Sequence, residues 1–179
     1  MSSLVSSFEN VKIGEFRYLF IIVTLNDYRS EITKEISKQI EPFGADLGLK
    51  GLVVKAFKSA SYDTAEELLS KKWTEEMKYK IEISRDPIML VIDKDFNSFD
   101  PTEDQWAIIW FADYFKRSDR IYRIFSLLSS KTKKKEDLFQ FLKGQTKREN
   151  FKKWLNYIEI KPGIFGFNIN GTKIFEELI

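Results

Sequence analysis

The chain of 179 residues has the length of one domain, and its 43% hydrophobic and 31% charged residues suit a folded protein with a real core. It contains no Cys and no His, which excludes disulfides, a thiol nucleophile, a zinc finger and an imidazole base. The net charge of +2 conceals an asymmetry, because residues 116–153 hold 13 Lys or Arg and 4 Asp or Glu, a local net charge of +9 on a body of −7.

The N-terminal elements come first. We expect residues 1–14 to be a loose N-terminus. The run FRYLFIIVTL at 16–25 is continuously apolar and predicts a buried strand. A helix is predicted from Glu31 to a stop at Gly44, since four apolar residues recur at helical spacing: Ile32, Ile36, Ile40 and Phe43.

Predicted strands and helices continue to alternate along the chain. GLVVKAFK at 51–58 predicts a second strand, and PIMLVID at 87–93 predicts a third. Between them, Thr64 and Glu67 form a capping-box pattern. One helical face is predicted to follow it, made of Ala65, Leu69, Trp73 and Met77. The order β-α-β-α-β indicates an α/β layer.

The segment QWAIIWF at 105–111 follows an acidic turn at 93–101. Asp100 and Pro101 would begin a helix well, but the aromatic and Ile residues favour a buried strand, which we predict.

The C-terminal third is predicted to be mainly helical. Three apolar stripes indicate helices: Ile121, Ile124, Phe125 and Leu128; Leu138, Phe139, Phe141 and Leu142; Phe151, Trp154, Leu155 and Ile158. A short strand at 164–169 and a last helix capped by Asn170 follow. The prediction is a single α+β domain over 1–179, with an α/β part at 15–115 and a basic, mainly helical part at 116–179.

The longest uncharged apolar run, at 18–25, has eight residues, whereas a bilayer needs about 20. The N-terminus lacks the basic, apolar and cleavage regions of a secretory signal. We therefore expect a cytoplasmic protein without a membrane span.

Asp93 and Asp95 are candidate ligands for Mg²⁺, since they follow an apolar strand directly. The pattern is similar to that of haloacid-dehalogenase-type phosphatases, but Asn97 stands where that family has Thr or Val. The same carboxylates are also typical of a tight turn. A small Mg²⁺-dependent phosphatase or nuclease is therefore an alternative function.

The basic segment is the candidate nucleic-acid-binding surface, because few acids offset its cations and such a field attracts phosphates. A free-standing protein that binds single-stranded nucleic acid is a further alternative. The candidate residues are Lys116, Arg117, Arg120, Arg123, Lys131, Lys133, Lys134, Lys135, Lys147, Arg148, Lys152 and Lys153.

Two stretches carry a family resemblance. Residues 86–101 (DPIMLVIDKDFNSFDP) are an apolar strand and an acidic turn ending in Phe-Asp-Pro, and residues 158–169 (IEIKPGIFGFNI) follow the basic helices. Together they resemble the APAZ domain found in partners of short prokaryotic Argonautes. In that family a Trp-bearing strand, here 105–111, follows Phe-Asp-Pro, and a Pro-Gly-x-Phe-Gly-Phe stretch, here 162–167, lies near the domain end.

The resemblance implies a fold like the N-terminal and linker regions of Argonaute. It implies a non-catalytic adaptor, without a cofactor, that forms a heterodimer with a short (MID-PIWI) Argonaute in prokaryotic defence against invading DNA by abortive infection. The pair would bind a guide RNA or DNA and a single-stranded DNA target. The family usually fuses this domain to an effector; here we expect the effector on a separate polypeptide.

Overall fold

A computed structural model describes residues 1–24, 31–56, 58–84, 86–111, 118–134, 137–145 and 158–161. Its strands are β1 (Ser2–Val5), β2 (Tyr18–Val23), β3 (Gly51–Ala56), β4 (Ile88–Ile92), β5 (Trp106–Trp110) and β6 (Ile158–Lys161). Its helices are α1 (Glu31–Leu47), α2 (Ser61–Leu69), α3 (Glu75–Ile83), α4 (Ser118–Lys133) and α5 (Leu138–Gln145). The expected α+β class is confirmed.

The strands form one mixed sheet in the order β1-β3-β2-β4-β5-β6. β3 lies parallel to both β1 and β2, whereas β4 runs antiparallel to β2 and β5, and β6 runs antiparallel to β5. The strands predicted within 16–25, 51–58, 87–93 and 105–111 are confirmed as β2, β3, β4 and β5.

Both faces of the sheet are buried, which explains why β2, β4 and β5 read as unbroken apolar runs. One face packs against α1, α4 and α5 through residues that include Phe20, Met89 and Ile109. The other face packs against α2, α3 and the residues before β2, through residues that include Leu19, Leu90 and Ile108. Among the described residues, the buried polar side chains all belong to Ser or Thr, and no charged residue is buried.

The N-terminal residues differ from the expected loose segment, because Ser2–Val5 form β1 beside β3. α1 also passes the expected stop at Gly44 and ends before Gly48, whose φ of +57° is the left-handed conformation typical of a glycine after a helix. Gly44 has a different role. A Cβ at Gly44 would lie 2.8 Å from backbone atoms of Met1 and Ser2, so its absence lets the start of β1 cross the helix.

The single helical face predicted from Ala65 to Met77 is wrong, because two helices replace it. The indole of Trp73 donates to the Leu68 carbonyl at 2.7 Å, in the segment between α2 and α3. Thr74 then caps α3 by accepting a hydrogen bond from the Met77 amide at 3.3 Å.

The predicted capping box is also wrong. Thr64 lies inside α2, where its hydroxyl donates to the carbonyl of Ala60 at 2.9 Å. The carboxylate of Glu67 accepts the amide of Phe8 at 2.6 Å and so ties the N-terminal segment to α2. Glu67 therefore binds a residue distant in the sequence and does not form a capping box with Thr64.

The C-terminal prediction needs one correction. Ile158, assigned to a helical stripe, is the first residue of β6 and pairs with Ile109. The alternation of Ile and charged residues over 158–161 is the period-two pattern of a strand, and this strand pairs with β5 at one edge of the sheet. α4 and α5 confirm the two preceding stripes. The rest of the third stripe, the strand at 164–169 and the helix after Asn170 lie outside the described residues.

The close approach at Gly44 is testable with Gly44→Ala. The added methyl group must displace the first residues of the chain, although alanine by itself favours a helix interior by roughly 1 kcal/mol. We expect faster hydrogen exchange at the amides of Ser3–Val5 while α1 stays protected.

Ala45→Ser, at the neighbouring exposed position of α1, is the control and should leave exchange in β1 unchanged. Unaltered protection of β1 in Gly44→Ala would contradict the proposed contact.

Candidate functional site

Helix α4 positions the described part of the candidate basic surface. Ile121, Ile124, Phe125 and Leu128 are buried in the core, where the ring of Phe125 stacks on that of Phe43 with centroids 4.5 Å apart. This packing fixes the rotation of the helix and directs the residues between its apolar positions outward.

We define the α4 basic face as Arg123 and Lys133 of α4 together with Lys134 directly after it, with the exposed ring of Tyr122 beside Arg123. Arg123 lies 3.8 Å from the Asp119 carboxylate. Lys133 lies 3.6 Å from the carboxylate of Asp46 on α1. Exposed ion pairs of this kind contribute roughly 0.2–1 kcal/mol to protein stability. A phosphate could therefore replace either carboxylate as the partner of the cation with little loss of stability.

Two further candidates are less open. The ammonium of Lys131 lies 4.6 Å above the ring of Phe141 on α5, and Arg120 is half-buried. The other seven candidates lie outside the described residues: Lys116, Arg117, Lys135, Lys147, Arg148, Lys152 and Lys153.

The acidic turn after β4 is tied to the rest of the chain at Asp95. One oxygen of Asp95 accepts the amide of Ile13 at 2.6 Å, and the other lies 3.6 Å from the Lys12 ammonium. The Asp95 carbonyl accepts a hydrogen bond from the Ser98 amide at 3.1 Å. The side-chain carboxylate and the main-chain carbonyl of Asp95 therefore both stabilise turns.

The later part of the turn is organised by Asp100. Its carboxylate accepts hydrogen bonds from the hydroxyl and amide of Thr102 at 2.6 and 2.9 Å, and from Lys72 at 2.9 Å. The Thr102 hydroxyl, then Lys72, hold the pKa of Asp100 well below its ordinary value. Asp104 accepts the Asp100 amide at 2.7 Å and pairs with Lys94.

Asp93 has a different environment from Asp95. Partial desolvation raises the pKa of its carboxyl group, against the opposing effects of its own backbone amide and of Lys94. Among the residues described, no group of three or more Asp or Glu side chains is placed to hold a metal ion. The structure places Asp95 in contacts that stabilise turns.

A cleft of about 960 Å³ is lined by β1, by α1 and by residues at the carboxyl ends of β2 and β3. Lys55 of β3 reaches it, and its Nζ donates to the Ser37 hydroxyl of α1 at 2.6 Å. This cleft is not among the sites predicted from the sequence. The signal was Lys55 itself, the one charged residue of a strand whose other residues are buried.

No helix in the described ranges is long and apolar enough to cross a membrane.

Comparison with known proteins gives no assignment: no protein-family model, no curated protein and no solved structure matches the chain. Function is therefore inferred from the side chains, the charge distribution and the two resembling stretches.

The contacts of Asp95 predict that substitution of Asp95 lowers stability more than substitution of Asp93. Asp95→Ala should lower the free energy of unfolding by about 1–3 kcal/mol, because it leaves the partly buried Ile13 amide without its acceptor. Denaturant unfolding measures the change.

Asp93→Asn is the matched control. The pKa of the Asp93 carboxyl group is raised in the folded protein, so ionisation of this group opposes folding above that pKa. Removal of the charge at neutral pH should therefore leave the free energy of unfolding unchanged or increase it. Equal losses in both variants would contradict the assignment.

Proposed function

We propose that the protein is a non-catalytic adaptor that pairs with a short Argonaute and contributes a basic face to the binding of guide and target nucleic acid. The observation that carries the proposal is the α4 basic face: exposed cations on a helix whose opposite side is anchored in the core. A surface held in this way attracts the phosphate backbone without reading base sequence.

The charge distribution along the chain supports this interpretation. The described members of the face belong to the segment 116–153 with its net charge of +9, while the remainder of the chain carries −7. Base pairing between guide and target would supply sequence specificity, and the protein would supply backbone contacts.

The two resembling stretches both contribute strands to the same sheet. Residues 88–92 form β4 and residues 158–161 form β6, and these strands flank the Trp-bearing β5. The stretches, distant in sequence, therefore meet on three adjacent strands. This proximity supports the resemblance as a structural one.

Pairing is tested by co-purification of the tagged chain with a short Argonaute encoded beside it, at high salt and after nuclease treatment. We expect a stoichiometric complex that survives both treatments. A well-folded monomer without a bound partner would overturn the adaptor proposal.

The basic face is tested in that complex with Arg123→Glu/Lys134→Glu. Both residues are exposed, so the double variant should fold, form the complex and bind target nucleic acid at least tenfold more weakly at low salt. Lys50→Glu/Lys78→Glu makes the same charge change at other exposed positions and should retain binding.

Equal binding by the two double variants would refute a role for the face. If the isolated chain bound single strands tightly and no Argonaute associated, the free-standing nucleic-acid-binding alternative would replace the adaptor.

A further inference from the structure

The cleft lies where the path of the chain diverges at the sheet edge. β2 and β3 are adjacent and parallel, but after β2 the chain enters α1 on one face, and after β3 it enters α2 on the other. Adjacent connections that leave on opposite faces open a crevice outside the carboxyl ends of the strands, the usual ligand position in open α/β sheets. Thr24 after β2, Ala56 at the end of β3 and Ser61 at the start of α2 all line this crevice.

A hydrogen-bonded chain fixes the cation at the cleft. The Ser37 hydroxyl donates to the Thr33 carbonyl at 2.8 Å, which leaves its lone pairs to accept from the Lys55 ammonium at 2.6 Å. The ammonium has three donors and uses one on this neutral partner. Among the described residues, no carboxylate lies within ion-pair distance of Lys55. Burial lowers the pKa of Lys55, as expected for an ammonium without a compensating anion.

The remaining lining is also suited to an anion. Lys34 and Lys38 also line the cleft, where Glu41 is the one lining carboxylate. The Lys38 ammonium is paired with the Glu35 carboxylate at 3.2 Å, so Lys34 and Lys55 are the cations considered for an anion. Ser2, Ser3 and Thr24 add hydroxyl groups to the lining, whereas the Ser37 hydroxyl hydrogen is already donated to the Thr33 carbonyl. Converging ammonium and hydroxyl groups in a cleft are the donors that phosphate oxygens accept.

We propose that this cleft binds a small phosphorylated ligand of nucleotide size, with a phosphate held by Lys55 and Lys34. The volume lies at the upper end of the range for small-molecule pockets, so it can hold more than an isolated phosphate ion. The carboxylate of Glu41 is available to accept hydrogen bonds from the hydroxyl groups of such a ligand. The site is separate from the α4 basic face.

The test is calorimetric titration of the full chain with ATP, inorganic pyrophosphate and adenosine at low ionic strength. We expect ATP and pyrophosphate to bind and adenosine to bind at least tenfold more weakly than ATP, because the phosphates provide the contacts. Lys55→Met should weaken ATP binding roughly tenfold or more, as for loss of a charge-assisted hydrogen bond. Lys34→Ala, at an exposed position, is a second variant that should weaken it even if Lys55→Met folds poorly.

Two controls separate this site from other surfaces. Lys78→Met, on α3, should bind ATP as the unmodified chain does, and so should Arg123→Glu, which alters the α4 basic face. The proposal would be overturned if neither ATP nor pyrophosphate bound, or if adenosine bound as tightly as ATP. It would also be overturned if Lys34→Ala and folded Lys55→Met both kept full affinity for ATP. Loss of ATP binding in Arg123→Glu alone would assign the ligand to the nucleic-acid face.

Discussion

Burial of the sheet on both faces is the constraint on which the rest of the structure depends. The central strands β2 and β4 expose no residue, so each face needs its own layer of cover. An unpaired charge within either layer would be costly, and the described charged groups lie at the sheet rim, in the turns or on outer helix surfaces. The fold thereby restricts where binding chemistry can be placed.

The acidic turn after β4 illustrates this restriction. Phe96 and Phe99 of the turn are buried against the α2 and α3 side, and Phe99 lies edge-on to Trp73 with centroids 5.8 Å apart. Asp95 and Asp100, which flank these two rings in the sequence, bind the Ile13 amide and the Lys72 ammonium and so hold the turn against that core. Here the carboxylates serve the packing of the adjacent aromatic residues.

Helix α1 connects the two surfaces for which binding is proposed. Ser37, near its N-terminal end, orients Lys55 at the cleft, while Asp46, near its C-terminal end, pairs with Lys133 of the α4 basic face. The two surfaces are therefore distinct but share one packed element. A partner on the α4 basic face and a small ligand in the cleft would each contact a lysine that is held by a residue of α1, Lys133 by Asp46 and Lys55 by Ser37.

The sequence by itself determined the strands β2 to β5 and the helices α1, α4 and α5, because their apolar periodicity reflects burial that every compatible fold requires. It also located the charge asymmetry. Only the tertiary structure decided the pairing of β1, the break between α2 and α3 at Trp73, and the place of Ile158 in β6, since partners distant in sequence determine each of these. The cleft was likewise hidden from the sequence: Lys55 and Ser37 are 18 positions apart, and only the crossover from β2 through α1 to β3 brings their side chains together.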